Sequence, residues 1–248
     1  MNAHLLEPEL LVSLRLIPEL QTITERPGQA LRIGAMVTHR ALATLPIISG
    51  TTDLLARAVP LIAHPAIRQQ ATIGGALCQA DPAGDLPTVA ICAGATLRIA
   101  NQAGIRECPA DQFDLKPGDL LLSIDLPGTP PGTAAHYEKL MRTEGDFATV
   151  SVAAMIGWAD HECSFARLAI GGCGPAPIHL EAADHMLIGT QLDDVALRRA
   201  GAALAAACDP VDDTRASRDY RLKLIPRLLA RAALAAKSRA EAALCTTT

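Results

Sequence analysis

IRQQATIGGALCQADPAGDLP, residues 67–87, gathers two adjacent glycines, an Asp-Pro step, a run of small residues and an aspartate two positions before a second proline. A simple turn needs fewer backbone-restricting residues than this. One reading is a tight turn in which Pro82 and Pro87 stop helices. In a second reading, Gly74 and Gly75 lack a Cβ and bring their backbone N–H groups within reach of an anion, with the Thr72 hydroxyl as a further donor. A third, the Rossmann or Walker phosphate loop, fails, because the stretch has neither GxGxxG nor a GKS/GKT step. Asp85 sharpens the second reading. A carboxylate placed some residues from a pyrophosphate accepts hydrogen bonds from ribose or ribityl hydroxyls. Local composition leaves both turn and cradle open.

Outward from this stretch, residues 9–17, ELLVSLRLI, read as a strand or buried edge segment, and 30–35, ALRIGA, as a short strand. Thr38 stands at an N-cap position before HRALATL. A helix fits TTDLLARAVPLI (51–62), with Thr51 or Thr52 as its cap, Asp53 at the positive end of its dipole and Pro60 as an early stop. Beyond the glycines, PTVAICAGA predicts a short helix closed by Gly94. ATLRIA and DLLLSIDLP (119–127) predict strands. PGTPPGT (127–133) holds three prolines and two glycines in seven residues and is the best linker candidate in the chain. After it come a hairpin, FATVSVAAMIGWA (147–159) and SFARLAIGG (164–172), turning around ADHEC. GGCGPAP (171–177) is a turn-rich exit. Helices follow at 181–189, at 193–208 with Asp193 or Asp194 as cap, and from about 218 to 244, with Pro226 as a kink or restart. Strands followed by helices predict an α+β layout.

The chain has 248 residues, half of them apolar and only 2% aromatic, so its core is aliphatic and alanine-rich. With 22 basic and 26 acidic residues and a net charge of −4 it carries no basic stripe, which argues against nucleic acid. The opening MNAHLLEPELL lacks a basic region and is interrupted by Glu7, Pro8 and Glu9, unlike a secretory signal. No apolar run reaches membrane-spanning length. The seven cysteines, at 78, 92, 108, 163, 173, 208 and 245, are widely spaced without a CxxC, and the seven histidines form no HExxH pair. No metal site is expected in this chain, and reduced thiols in a cytoplasmic protein are the simplest reading.

The 67–87 stretch resembles the flavin-binding subunit of molybdenum hydroxylases, the family of the carbon monoxide dehydrogenase medium chain and the xanthine dehydrogenase flavin domain, whose typical form is IRNxxTIGGNxxxxxPxxDxxP. LRIGAMVTHRAL, GDLLLSIDLP, YEKLMRTEGDFATVSVAA, LAIGGCGPAPIHLEAA and RASRDYRLKLIPRLLARAAL continue the resemblance along essentially the whole chain. It implies a vanillyl-alcohol-oxidase-type FAD-binding domain over 1–128. A small α+β domain, a three-stranded antiparallel sheet with helices, is implied over 134–248. It implies FAD as cofactor, a small iron–sulfur subunit with 2Fe–2S clusters and a large molybdopterin subunit as partners, and a dimer of heterotrimers. Electrons would pass from the clusters through FAD to an external acceptor, no residue of this chain being catalytic.

Carried over position by position, the resemblance implies that Thr72, Ile73, Gly74, Gly75 and Ala76 hold the pyrophosphate and wall the flavin, and that Asp85 takes the sugar-like chain. Leu121 would lie against the adenine side or the ring, and Phe147 near the isoalloxazine; on burial alone both are equally ordinary core residues. Two departures stand out. Ala76 replaces the Asn that ends the family motif. The glycine-rich AGGxSLxP loop of the first lobe has no counterpart, so the flavin domain is expected to consist of its second lobe, with the first largely missing. An alternative function is therefore a flavin-free structural or adaptor remnant. A stand-alone flavin oxidase would need a convergent His, Tyr or carboxylate cluster, which the sequence does not display.

Overall fold

The computed structural model describes residues 9–245. The first eight residues, part of the opening read above as unlike a secretory signal, lie outside the described residues. Strands β1 (Ile23–Arg26) and β2 (Ala30–Gly34) form a hairpin. Five helices follow: α1 (His39–Leu42), α2 (Gly50–Ala58), α3 (Pro65–Arg68), α4 (Ile73–Gln79) and α5 (Asp85–Cys92). The chain returns through β3 (Thr96–Asn101), β4 (Gly104–Pro109) and β5 (Leu120–Leu126). All pairings are antiparallel, in the order β1-β2-β5-β3-β4. The alternating burial of β2, β3 and β5 presses Leu31, Ile33, Leu97, Ile99, Ile124 and Leu126 onto the helices.

The second half begins with β6 (Thr133–Leu140), β7 (Val150–Ala159) and β8 (Glu162–Gly171), in the order β6-β7-β8. Helices α6 (Glu181–His185), α7 (Asp194–Ala207) and α8 (Arg218–Cys245) complete it. Strand β7 is buried on both faces along nearly its whole length. Val150, Val152, Ala154 and Ile156 pack under α7 and α8, whereas Ala153 and Met155 join the core of the first domain. The small sheet thus lies between its own helices and the first domain. A strand covered on both faces reads as a continuous apolar run, which is what VSVAAMIGWA is.

Several sequence expectations need correction. Residues 9–17 form no strand: Leu10, Leu11, Val12 and Leu16 are exposed, and no described strand pairs with them. An apolar run without an edge to pair with has nothing to hold it extended. Helix α2 is capped by Ser49, not by Thr51 or Thr52. The Ser49 side chain accepts from the Thr52 N–H, and Thr52 accepts from the Ser49 N–H in return. The helix stops at Ala58, and Pro60 falls in the 3-10 turn Val59–Leu61. Strands β4 and β6 were not legible as elements. The 127–133 stretch is irregular up to Gly132 but firmly tied: Gly50 N–H donates to Thr129 Oγ1 at 2.8 Å and Thr51 Oγ1 to the Pro127 carbonyl at 3.0 Å. Helix α8 runs through Pro226 without a restart. The expected Thr38 and Asp193 caps form, Thr38 accepting from Ala41 N–H and Asp193 from Val195 and Ala196 N–H.

Candidate functional site: the cleft beside the paired glycines

Thr72 caps α4, and its Oγ1 accepts from the Gly75 N–H at 3.1 Å. The neighbouring donors are also used within the protein. Ile73 N–H bonds the Val37 carbonyl at 3.0 Å, and Gly74 N–H the Ala35 carbonyl at 2.9 Å. These bonds clip the start of α4 against the segment that follows β2. The backbone donors of Gly74 and Gly75 therefore serve the fold here, rather than pointing as free donors at an anion. The two glycines have different reasons to be glycine. A Cβ on Gly74 would lie 2.6 Å from both the Cβ and the carbonyl oxygen of Ala35, so only glycine lets α4 pack this closely. A Cβ on Gly75 would meet nothing within 4 Å except Thr72 Oγ1 at 3.1 Å. Gly75 bares its backbone to an adjoining cleft.

That cleft has a volume of about 530 Å³. Ile62 and Ala63 contribute one part of its lining, Thr72, Gly75 and Ala76 a second, and Asp85, Leu86 and Pro87 a third. Phe147, half exposed, reaches in from the second domain, with the Arg215 guanidinium 5.5 Å from its ring centre. On the other side of Thr72 lies a polar depression of about 190 Å³ bordered by Arg15, Gln69 and Gln70. The structure thus brings Thr72, Gly75, Ala76, Asp85 and Phe147 to one cleft. Ile73 and Gly74 pack behind it, and Leu121 is buried in the β5 core, outside the cleft lining.

Asp85 opens α5 and is itself buried. Its Oδ1 accepts from Tyr137 Oη and its Oδ2 from Lys139 Nζ, each at 2.8 Å. Burial pushes the Asp85 carboxyl above the ordinary carboxylate value, and the Lys139 ammonium and Tyr137 hydroxyl pull it back. Sequence reasoning missed Lys139, because the strand that carries it is not legible as one and a lone lysine reads as solvent-facing. It also missed His39. This residue is buried at the first turn of α1 and lines the cleft. Its Nε2 lies 3.2 Å from the Thr72 carbonyl, which can only accept, so Nε2 carries the proton and Nδ1 is a bare acceptor. Nδ1 has no partner among the described residues. Burial pushes the imidazole below its ordinary pKa, holding it neutral. Only the Thr-His step after a strand could have pointed to it.

Mostly apolar walls and an opening bounded by bare backbone fit a flat heteroaromatic ring system. The residues present therefore suit the ring portion of FAD. Among the described residues no helix is long and apolar enough to cross a membrane.

Comparison with known proteins agrees with this geometry. Residues 1–129 match the family model described as the FAD binding domain in molybdopterin dehydrogenase, and residues 135–236 match the CO dehydrogenase flavoprotein C-terminal domain. The carbon monoxide dehydrogenase medium chain of Afipia carboxidovorans is 35% identical over 97% of this chain and 86% of its own length. The 6-hydroxypseudooxynicotine dehydrogenase complex subunit alpha of Paenarthrobacter nicotinovorans is 31% identical over 97% of this chain and 83% of its own. In the solved structure of reconstituted CO dehydrogenase from Oligotropha carboxidovorans, one chain superposes with a TM-score of 0.92 at 34% identity, covering 96% of this chain and 86% of that one. A bared glycine backbone in an apolar cleft, two matched domain families and these relatives together place the chain among the FAD-binding medium subunits of the molybdenum hydroxylase family, which are components of oxidoreductase complexes.

Proposed function

We propose that the cleft between α4, the start of α5 and Phe147 holds the flavin ring of FAD, and that the polar depression beside Arg15 takes its pyrophosphate. When bound, the flavin would supply a carrier that takes up electrons singly or in pairs and passes them on. The chain's own residues bind and orient it. Gly75 and Ala76 let the ring approach the backbone, Thr72 marks the passage between the apolar and the polar hollow, and Phe147 closes the cleft from the second domain. Asp85 borders the sugar-like chain, and Ile73, Gly74 and Leu121 support the site from the core. The division into a flavin domain over 1–128 and a C-terminal domain over 134–248 belongs to the same reading.

The partners in this reading are a small iron–sulfur subunit with 2Fe–2S clusters and a large molybdopterin subunit, assembled as a dimer of heterotrimers in the cytoplasm. Electrons released at molybdenum cross the clusters, reach the flavin in this chain and leave to an external acceptor. Relatives named as medium chains and as a complex subunit support the partnership. The observation that carries the proposal is Gly75, a helical glycine in the cleft lining whose added Cβ would meet nothing within 4 Å but Thr72 Oγ1 at 3.1 Å.

The test is the FAD released on denaturation from the chain purified with its partner subunits, for the parent and for Gly75→Asp. Near-stoichiometric FAD in the parent and none in a folded Gly75→Asp variant is expected. Equal flavin in the two would remove the assignment. A parent that holds no FAD in the complex would favour the structural-adaptor alternative.

A further inference from the structure

Lys139 lies near the end of β6 with its side chain only 1% exposed. Its Nζ donates to the Leu61 carbonyl at 3.1 Å and to Asp85 Oδ2 at 2.8 Å. Leu61 immediately precedes Ile62 and Ala63, one segment of the cleft lining, and Asp85 immediately precedes Leu86 and Pro87, another. A single buried ammonium from the second domain therefore joins two segments of a cleft in the first. Other contacts brace the same two segments. Tyr137, on the same face of β6, donates to Asp85 Oδ1. Gly172 N–H donates to the Pro82 carbonyl at 2.8 Å. The 143–147 loop comes so close to Ala63 that a Cβ on Gly145 would lie 3.0 Å from its carbonyl carbon.

The pair is also electrostatic. Asp85 borders the cleft and Lys139 sits behind it. While both are charged the cleft sees little net charge; with one removed, the other is left buried and uncompensated. A flavin that takes up electrons gains negative charge, so a lone carboxylate beside it opposes reduction and a lone ammonium favours it.

Resting on the flavin assignment of this cleft, we propose that Lys139 is a positioning residue of the cofactor site. It fixes the separation of the 61–63 and 84–87 segments, and by cancelling the charge of Asp85 it sets the potential at which the bound flavin is reduced.

The test uses the chain purified with its partner subunits, in the parent, Lys139→Gln, Asp85→Asn and doubly substituted forms. Flavin content and flavin midpoint potential are measured by spectroscopic titration. Lys139→Gln should lower the potential and Asp85→Asn should raise it. Each shift should correspond to about a tenfold change in the ratio of reduced to oxidised cofactor binding, about 30 mV for a two-electron couple. The double variant, with neither charge, should return close to the parent. Single variants that keep flavin but hold the parent's potential, or that both shift in one direction, would overturn the proposal. Where a single variant does not fold, Tyr137→Phe replaces it: it keeps both charges, strips one donor from Asp85 and should lower the potential by a smaller step, and an unchanged potential overturns the proposal. Full flavin retention in Gly75→Asp would instead remove the site assignment, whatever the potentials.

Discussion

Gly74 and Gly75 stand side by side in one helix and answer to different constraints. A methyl on Gly74 would press into Ala35 at 2.6 Å, and the Ala35 backbone leaves little room to yield. Gly74→Ala should therefore cost about 1–3 kcal/mol of stability, the usual range for overpacking. Gly75→Ala removes a helical glycine and brings a Cβ to 3.1 Å from Thr72 Oγ1, a side-chain hydroxyl that need yield only a few tenths of an ångström. It should leave stability unchanged or raise it by up to about 1 kcal/mol while lowering flavin content. Chemical denaturation of both variants, read beside bound flavin, checks the contrast.

Asp119 offers a second test at this scale. Bonds from the Asn101 amide, the Arg106 guanidinium and the Lys116 N–H hold its carboxyl at about 2. A carboxyl with a lowered folded-state pKa stabilises the fold above its unfolded value, near 3.9. That contribution is lost as pH falls towards about 2. Asp119→Asn should flatten the acid limb of the stability profile between these values, measured by urea unfolding from pH 5 downward. No change in the slope would mean that the three bonds do not persist in solution.

Among the elements, the β7–β8 hairpin turns on Asp160 and His161 alone, with φ of 50° and 65°. Two consecutive left-handed residues make the two-residue turn whose twist matches the strands, a position that asparagine and glycine suit better than histidine. His161→Gly should raise the unfolding free energy by about 1 kcal/mol, visible as a higher melting temperature. The sequence showed a hairpin around ADHEC without resolving the turn, because the apolar strand ends blur into the polar residues. Helix α2 teaches the same lesson. Ser49, Thr51 and Thr52 are all acceptable caps by residue type, and only the backbone entry angle selects Ser49, whose box with Thr52 then closes.

At the scale of the molecule, the first core does not end with the first domain. Ala135, Tyr137, Ala153, Met155 and Ala169 of the second sheet belong to it, and the buried Asp53 of α2 accepts from the Ala135 N–H at 2.8 Å. Two halves that share a core should unfold together. Trp158 fluorescence, which reports the second core, and far-ultraviolet ellipticity, which reports both, should give coincident thermal transitions. Two separate transitions would mean that the shared face contributes little.

The residues alone determined the local identities: the glycine-rich stretch and its kinship, the apolar strands β5, β7 and β8, the helical C-terminal portion and the family of the chain. These follow from periodicity, from breakers and from a motif, all of which are properties of near neighbours. Tertiary structure decided the rest. It showed that the N–H groups of Gly74 and Gly75 are consumed by the fold, that Leu121 is core, and that residues 9–17 find no described strand to pair with. It also brought Lys139 and Tyr137 to Asp85 across more than 50 positions of sequence. The physical reason is that a hydrogen-bond donor or a buried charge takes its meaning from the partner it reaches. Partners far apart in the chain meet only when two sheets and their helices have packed.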